Sequence, residues 1–394
     1  MVLNKLKTMN KHCGVNMKNI HKALILSSAI MAGNSHAEIT FNGFASIVGG
    51  VTTSSDETLY GYDDTINFSP GSLVALQASS DLGEGLSVTA QILARGEDDW
   101  DPDFEWAYIA YDASDNLRIL AGRQRVPFYM YSDFLDVSYA YPWIEPPAGV
   151  YSLGFSTFDG IGAMYNSSIG SFDSSIHLIY GGNTSDLFIQ GEPQTSRLRD
   201  LVGAAWTLNR DWLTLRVAYF QADTSIDVPD VTPLVDGWSQ AGFPEVGEGL
   251  KIEGDLGAFT EVGFQIDYEN ILIIGEYTLL TLDNTLLADD ANSYFLMGGY
   301  RFDNVLVHVT YGWDDSIKDR ITNDVPVIPQ LLPLIIPTNG ITDGQAEESN
   351  YITLGLRWDF HDSAALKFEY TSYSDDLNSN NDAGLFRTAL VTVF

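Results

Sequence analysis

The sequence has one cysteine in 394 residues, Cys13, and it lies ahead of the stretch read below as an export signal. No disulfide and no thiolate metal site can therefore form downstream of it. Histidine is nearly as scarce. Past position 37 only His177, His308 and His361 occur, none in a nucleophile-elbow or metal-binding-helix motif. Catalysis finds no footing, so no enzyme, no cofactor and no resident metal are expected. Basic residues are few as well: residues 38–394 carry 53 acids against 15 lysines and arginines. Nucleic-acid binding needs the opposite balance, whereas an acidic body attracts cations. No run of eighteen or more apolar residues exists, which excludes a helical membrane protein. It does not exclude a barrel, whose lipid-facing residues are only every second one.

What is present is alternation. From Tyr351 to Phe360 every even position is apolar, while Thr353, Arg357 and Asp359 occupy odd ones. Side chains alternate faces along a strand, so one face suits hydrocarbon and the other water. The pattern recurs back to Ile39, in segments near the about nine to eleven residues with which a tilted strand crosses a bilayer. Leu86, Val88, Ala90 and Ile92 take the lipid face against Ser87, Thr89, Gln91 and Arg95. Val262, Phe264, Ile266 and Tyr268 oppose Glu261, Gln265 and Asp267; Leu213, Leu215, Val217 and Tyr219 oppose Thr214 and Arg216; Leu366, Phe368 and Tyr370 oppose Lys367, Glu369 and Thr371. The charges fall on the lumen face, which spares them the about 2–4 kcal/mol that Arg or Lys costs at the bilayer midplane. Trp106, Tyr108, Trp206, Tyr268, Tyr300 and Trp358 suit interfacial girdles. Around 116–123 the parity of Arg118 and Leu120 opposes that of Arg123, which suggests a bulge.

Short Gly/Asn/Asp/Ser turns alternate with long polar or Pro/Gly-rich connections. Turns fall at 81–85, 112–116, 166–168, 209–211, 269–270, 303–304 and 361–363; loops fall near 54–69, 97–103, 124–155, 182–198, 223–257, 283–292, 315–349 and 374–384. Fifteen connections imply about sixteen strands, an even number that returns both termini to one side. The expected fold is an all-β transmembrane antiparallel barrel filling residues 38–394. Ahead of it, Met17 to Lys22 is basic, Ala23 to Ala32 is apolar, and Ser35-His36-Ala37 is a small-x-small cleavage site. Residues 1–37 are thus an N-terminal extension plus signal peptide, and Glu38 is the expected mature start.

Two segments resemble the general porins of Gram-negative bacteria. Gly71 to Leu86, with its Asp81-Leu82-Gly83 turn, is similar to that family's second and third strands; Trp106 to Tyr111, then Leu117 to Gln124, is similar to the hairpin ending in Gly-Arg before its constriction loop. The resemblance implies a homotrimer in the outer membrane, among lipid and lipopolysaccharide, passing small hydrophilic solutes and ions. It also implies a third loop, here about Gln124 to Phe155, folded into the barrel. That loop departs from the family's usual Pro-Glu-Phe-Gly-Gly stretch. In its place stand Asp133-Phe134-Leu135-Asp136 and Pro142 to Pro147. Terminal Phe394 resembles the aromatic assembly signal.

Within that frame the constriction candidates are Asp133, Asp136 and Glu145 on the loop, facing Arg95, Arg123, Arg125 and Arg357 on the wall. Opposed charges across a narrow gap make a transverse field that favours ions and polar solutes; the plainer reading is that they pair and anchor the loop. The loop aromatics Phe128, Tyr129, Tyr131, Phe134, Tyr139, Tyr141 and Trp143 either stack on sugars or pack against the wall, packing being the commoner use. Glu97 to Asp103 is acidic without a calcium-loop spacing and reads as a solvated loop. Val325 to Pro337 is apolar and proline-broken, which argues against strand or helix and for burial under other loops. The functional expectation is a cation-preferring diffusion channel. A solute-selective channel, for oligosaccharides for example, and a non-conducting adhesin or scaffold remain open.

Overall fold

The computed structural model describes residues 38–394 apart from 56, 190–191, 228–230, 284–289 and 317–319; the export signal and Cys13 lie outside the described residues. Sixteen antiparallel strands form one closed barrel in which every strand pairs with its sequence neighbours. They are β1 Ile39–Thr52, β2 Leu73–Gly83, β3 Leu86–Arg95, β4 Pro102–Ser114, β5 Leu117–Arg125, β6 Thr157–Ile169, β7 Phe172–Ile189 and β8 Glu192–Arg210. The second half comprises β9 Leu213–Ile226, β10 Ile252–Tyr268, β11 Ile271–Leu282, β12 Asp290–Phe302, β13 Val305–Ser316, β14 Glu347–His361, β15 Ala364–Asp375 and β16 Ala383–Val393. Closure is by β1 on β16, from Phe44 opposite Val393 to Thr52 opposite Leu385. The seam is sealed by Phe394, whose N–H donates to Gly43 O at 2.9 Å while Gly43 N–H donates to Phe394 O at 2.7 Å. Its ring lies so near Gly43 that a Cβ there would stand 2.4 Å from it.

The alternation sorts as the sequence implies. Val262, Leu354 and Phe368 are exposed on the outer face, whereas Gln91, Glu261 and Lys367 are buried in the interior. The turns at one end are tight and the loops at the other long, the end that faces outward in barrels of this kind.

Five local expectations need correcting. The turn expected at 166–168 comes later, at Gly170 and Ser171, because Asn166, Ser167 and Ser168 still pair with Ser175, Ser174 and Asp173 in the β6–β7 ladder. Trp106 and Tyr108 pair with Gln91 and Thr89, both interior, so they face the lumen and not the lipid girdle. The bulge lies in β4 rather than β5: Ile92 pairs with Phe104 and Gln91 with Trp106, leaving Glu105 as the extra residue. A bulge reaims one side chain, and it turns Glu105 inward. Residues 182–198 are mostly strand, because β7 and β8 run on to Ile189 and from Glu192; a hairpin can extend its ladder past the bilayer, and polar composition does not forbid that. Finally, the proline-broken segment contains a helix, α3 (Leu332–Asp343), which packs on α1 (Thr232–Gln240); a short α2 (Pro244–Glu248) follows α1. Pro333 stands in the first turn, where the missing N–H would be unpaired anyway. Interior Pro337 costs about 3 kcal/mol, which burial of Leu331, Ile335 and Trp238 in one cluster offsets. Trp238 Nε1 also donates to Thr338 Oγ1 at 2.9 Å.

Candidate pore constriction

Residues 126–156 leave β5 at Arg125 and fold into the barrel before rejoining β6. Apolar matching explains why. The interior of β7–β13 carries Ile179, Phe220, Phe259, Ile274 and Phe295, and Phe128, Tyr129, Tyr131, Tyr141 and Trp143 of the loop complete one buried cluster with them. The Phe128 ring meets Phe259 edge-on at 4.9 Å and Phe220 at 5.2 Å. Each such ring contributes about 1.5–3 kcal/mol relative to exposure. The aromatics are therefore used in packing. Burial also pushes the Tyr129 and Tyr131 hydroxyls above their ordinary range, so both stay neutral.

Polar anchors fix the loop at both ends of this cluster. Glu276 accepts from Met130 N–H at 3.0 Å and from the Tyr151 hydroxyl at 2.7 Å. Arg216 donates to Pro127 O, and Tyr131 donates to Gln265 at 2.7 Å. Trp143 Nε1 donates to Thr310 Oγ1 at 2.8 Å, and Ile144 N–H to Glu369 Oε1 at 2.8 Å. Lys367 is the tightest: its Nζ donates to Ser138 O at 2.5 Å, Tyr141 O at 2.9 Å and Trp143 O.

The candidate residues divide between two charge clusters and several outliers. On the β3–β5 wall, Glu105 bridges Arg95 at 2.7 Å and Arg125 at 3.1 Å, and both guanidiniums reach Asp136, Arg95 at 2.8 Å. Burial alone would raise the Asp136 carboxyl, but Arg125 and Arg95 outweigh it and hold it below the usual range. On the β15–β16 wall, Arg387 pairs with Glu145 and, at 3.0 Å, with Glu369. Arg357 clamps the loop from β14, donating to Tyr139 O at 2.8 Å and Tyr141 O at 2.9 Å while pairing with Asp359. Asp133 is exposed on the loop, where no ion pair joins it among the described residues.

Arg123 does not belong to the constriction. It pairs with Asp159 at 3.0 Å, and that cross-strand row continues through Ala121 and Ile161, the latter exposed on the outside. Its neighbour Phe158 points the other way, into the interior cluster. The parity conflict seen in the sequence was an outward arginine.

Between the two clusters lies a cavity of about 580 Å³ bounded by β1–β4, β13–β16 and the loop. Among the described residues its lining carries six acids (Glu97, Asp98, Glu105, Asp136, Glu145, Glu369) against two arginines, Arg95 and Arg387. Burial, with Asp98 and Glu145 nearby, raises the Glu97 carboxyl. Sequence reasoning missed Glu105 and Arg387 as site residues, and it saw Lys367 and Glu369 only as inward-facing. Parity announced the last two; nothing local announced the bulge or the partners 220 and more residues away.

A family profile described as Gram-negative porin matches residues 23–381. Among solved structures, the loop L8 deletion mutant of OmpT from Vibrio cholerae superposes with TM-score 0.57 at 14% identity, covering 91% of this chain and 100% of that one. OmpF of Salmonella typhi, in complex with daunomycin, gives 0.57 at 13%, covering 92% and 99%. An anion-selective porin from Comamonas acidovorans gives 0.56 at 12%, covering 91% and 100%. At these identities the likeness speaks for the fold alone. No curated protein matches by sequence.

Proposed function

Because the chain belongs to the Gram-negative porin family and so forms an outer-membrane channel for small solutes, we propose that its passage runs between the inserted loop and the β1–β4 and β13–β16 walls and prefers cations. The observation that carries this is the lining: six carboxylates against two arginines around about 580 Å³. Arg125 adds a third cation behind Asp136, and the balance stays negative. Within a Debye length of about 8 Å at physiological salt, such a surface enriches cations and depletes anions. Arg95 with Glu105 on one wall and Arg387 with Glu369 on the other both line the passage, each pair cancelling most of its own charge, which leaves Glu97 and Asp98 as its unpaired carboxylates among the described residues.

The loop aromatics are largely sequestered in the interior cluster, which favours general diffusion over a sugar-stacking channel. Family membership favours a channel over an enzyme, and a homotrimer over a monomer. On the same reading, residues 1–37 are removed on export and the barrel begins at Glu38. Reversal potentials in a salt gradient across planar bilayers test the selectivity. A cation-positive shift that shrinks as salt rises is expected. Anion preference would mean that the arginines, not the net charge, set the field. A barrel that inserts and never conducts would instead favour an adhesin or scaffold.

A further inference from the structure

Between β1 and β2, at the loop end of the barrel, the chain makes a two-residue hairpin. Leu59 N–H donates to Tyr62 O at 3.1 Å and Tyr62 N–H to Leu59 O at 3.0 Å, while Tyr60 and Gly61 between them hold φ 51° and 78°. Positive φ at both central positions marks a type I′ turn, for which asparagine or aspartate ahead of glycine is the usual choice. A tyrosine there is strained. Such strain persists where the surroundings over-determine it, and it clusters at clamps and functional sites.

The surroundings of Tyr60 do so. Leu59 and Tyr62 are buried with Val48, Ile144 and Leu385. The Tyr62 hydroxyl donates to Pro70 O, and its ring lies against Gly50, where a Cβ would stand 2.6 Å from it. Thr52 N–H donates to Asp63 O at 2.8 Å, and the Glu57 carboxylate accepts from Gly384 N–H at 3.1 Å. The hairpin is thus fastened to β1 and β16 on both sides of Tyr60. The Tyr60 ring stands 5.6 Å from the Arg387 guanidinium, itself held by Glu145 and Glu369.

That position is a junction. A second cavity, of about 450 Å³, lies at the loop end, walled by residues 57–60, by Ala148, Gly149 and Ser152 of the inserted loop, by the upper ends of β12–β15, and by residues 380–382. Among the described residues only Tyr60 and Ala148 line both this space and the cavity of about 580 Å³ at the constriction. The two spaces therefore meet between one aromatic ring and one methyl group, neither of them charged.

We propose that Tyr60 is a specificity-determining residue: with Ala148 it forms a neck, outside the charged constriction, that sets the size limit for uncharged solutes such as sugars. The inference rests on the channel reading above and adds a second filter to it. The carboxylates sort by charge, and the neck sorts by cross-section. On this reading the strained turn has a use, since it aims a rigid ring at the junction.

The test is the swelling of proteoliposomes in arabinose, glucose and sucrose, with single-channel conductance measured beside it. Tyr60→Gly removes the ring and suits the left-handed backbone, so the hairpin keeps its fold. It should raise the rate for sucrose relative to arabinose by about threefold or more, with a rise in conductance. Ala148→Phe should act in the opposite direction, lowering the rate for glucose relative to arabinose. Tyr60→Phe keeps the ring and should match the unmodified protein. Unchanged sugar ratios in Tyr60→Gly or in Ala148→Phe overturn the proposal. So does a Tyr60→Phe protein that behaves as Tyr60→Gly, because the hydroxyl and not the ring would then be the operative group. If the unmodified protein conducts and admits arabinose while the variants leave the ratios unchanged, the neck alone fails. If it neither conducts nor admits any sugar, the channel reading fails and the neck with it.

Discussion

Replacing Lys367 with methionine should loosen the inserted loop while leaving the barrel intact. The Nζ group reaches Ser138 O at 2.5 Å, Ser138 Oγ at 3.1 Å, Tyr141 O at 2.9 Å and Trp143 O, and it stands 5.0 Å from the Tyr141 ring centre. Methionine keeps the chain length and removes every donor. A hydrogen bond to a charged group contributes about 1.5–3 kcal/mol, and an orphaned buried acceptor costs about 1–3 kcal/mol. These do not simply add. Burying the ammonium was itself costly, lumen water can solvate a released loop, and Arg357 still holds the Tyr139 and Tyr141 carbonyls. A net loss of about 3 kcal/mol is reasonable, and at tenfold per about 1.4 kcal/mol it multiplies the detached population by about a hundred. The ladder of β15 on β14 and β16 does not involve this side chain. Heat-modifiable barrel should therefore form in normal yield. Amide exchange across residues 138–144 should accelerate by about two orders of magnitude, and single-channel traces should show excess open-channel noise. Unchanged exchange with quiet traces would show that the apolar cluster alone holds the loop, and the anchoring argument would be wrong.

Asp133 and Asp136 should separate: exposed Asp133→Asn shifts reversal potential toward anions without loosening the loop, whereas Asp136→Asn leaves Arg95 and Arg125 sharing Glu105 and accelerates loop exchange. Acidification should act in two stages. Glu97, raised by burial, loses its charge first, so cation preference declines early; Asp136 is held low, so its contribution to loop attachment is constant down to the unfolded value of about 3.9 and is lost only as pH falls through its own, lower range. Loop exchange that rises together with the loss of selectivity would refute that order. Arg123→Gln should cost under about 1 kcal/mol, since its partner Asp159 is largely exposed, and should leave selectivity unchanged in a salt gradient. Gly43→Val should lower the folded-barrel yield as deletion of Phe394 does, because a side chain there collides with the terminal ring at the β1–β16 seam; normal heat-modifiability in both would sink the closure and assembly-signal readings.

Much of this architecture was legible in the residues. A period of two is a local property of a strand, and lipid on one side penalises a misplaced charge strongly enough to be read one residue at a time. Hence the inward faces of Glu261, Lys367 and Glu369, six of the seven turns, and the long loop after Arg123 follow from the sequence; the turn expected at 166–168 is displaced to Gly170 and Ser171. The constriction does not, because its parts meet across distances that no local pattern records. The bulge that turns Glu105 toward Arg95 and Arg125 breaks the very period used to assign faces. Alternation did set Arg123 out of step with Arg118 and Leu120, but without the register of β5 on β6 the conflict reads as a bulge and leaves Arg123 among the pore cations, although its row runs along the outside. Lys367 and Arg387 declare an inward direction, but only closure of the barrel sets them against Ser138, Trp143 and Glu145. Alternation fixes which way each side chain points; only the closed barrel, with a loop packed inside it, decides what each one meets.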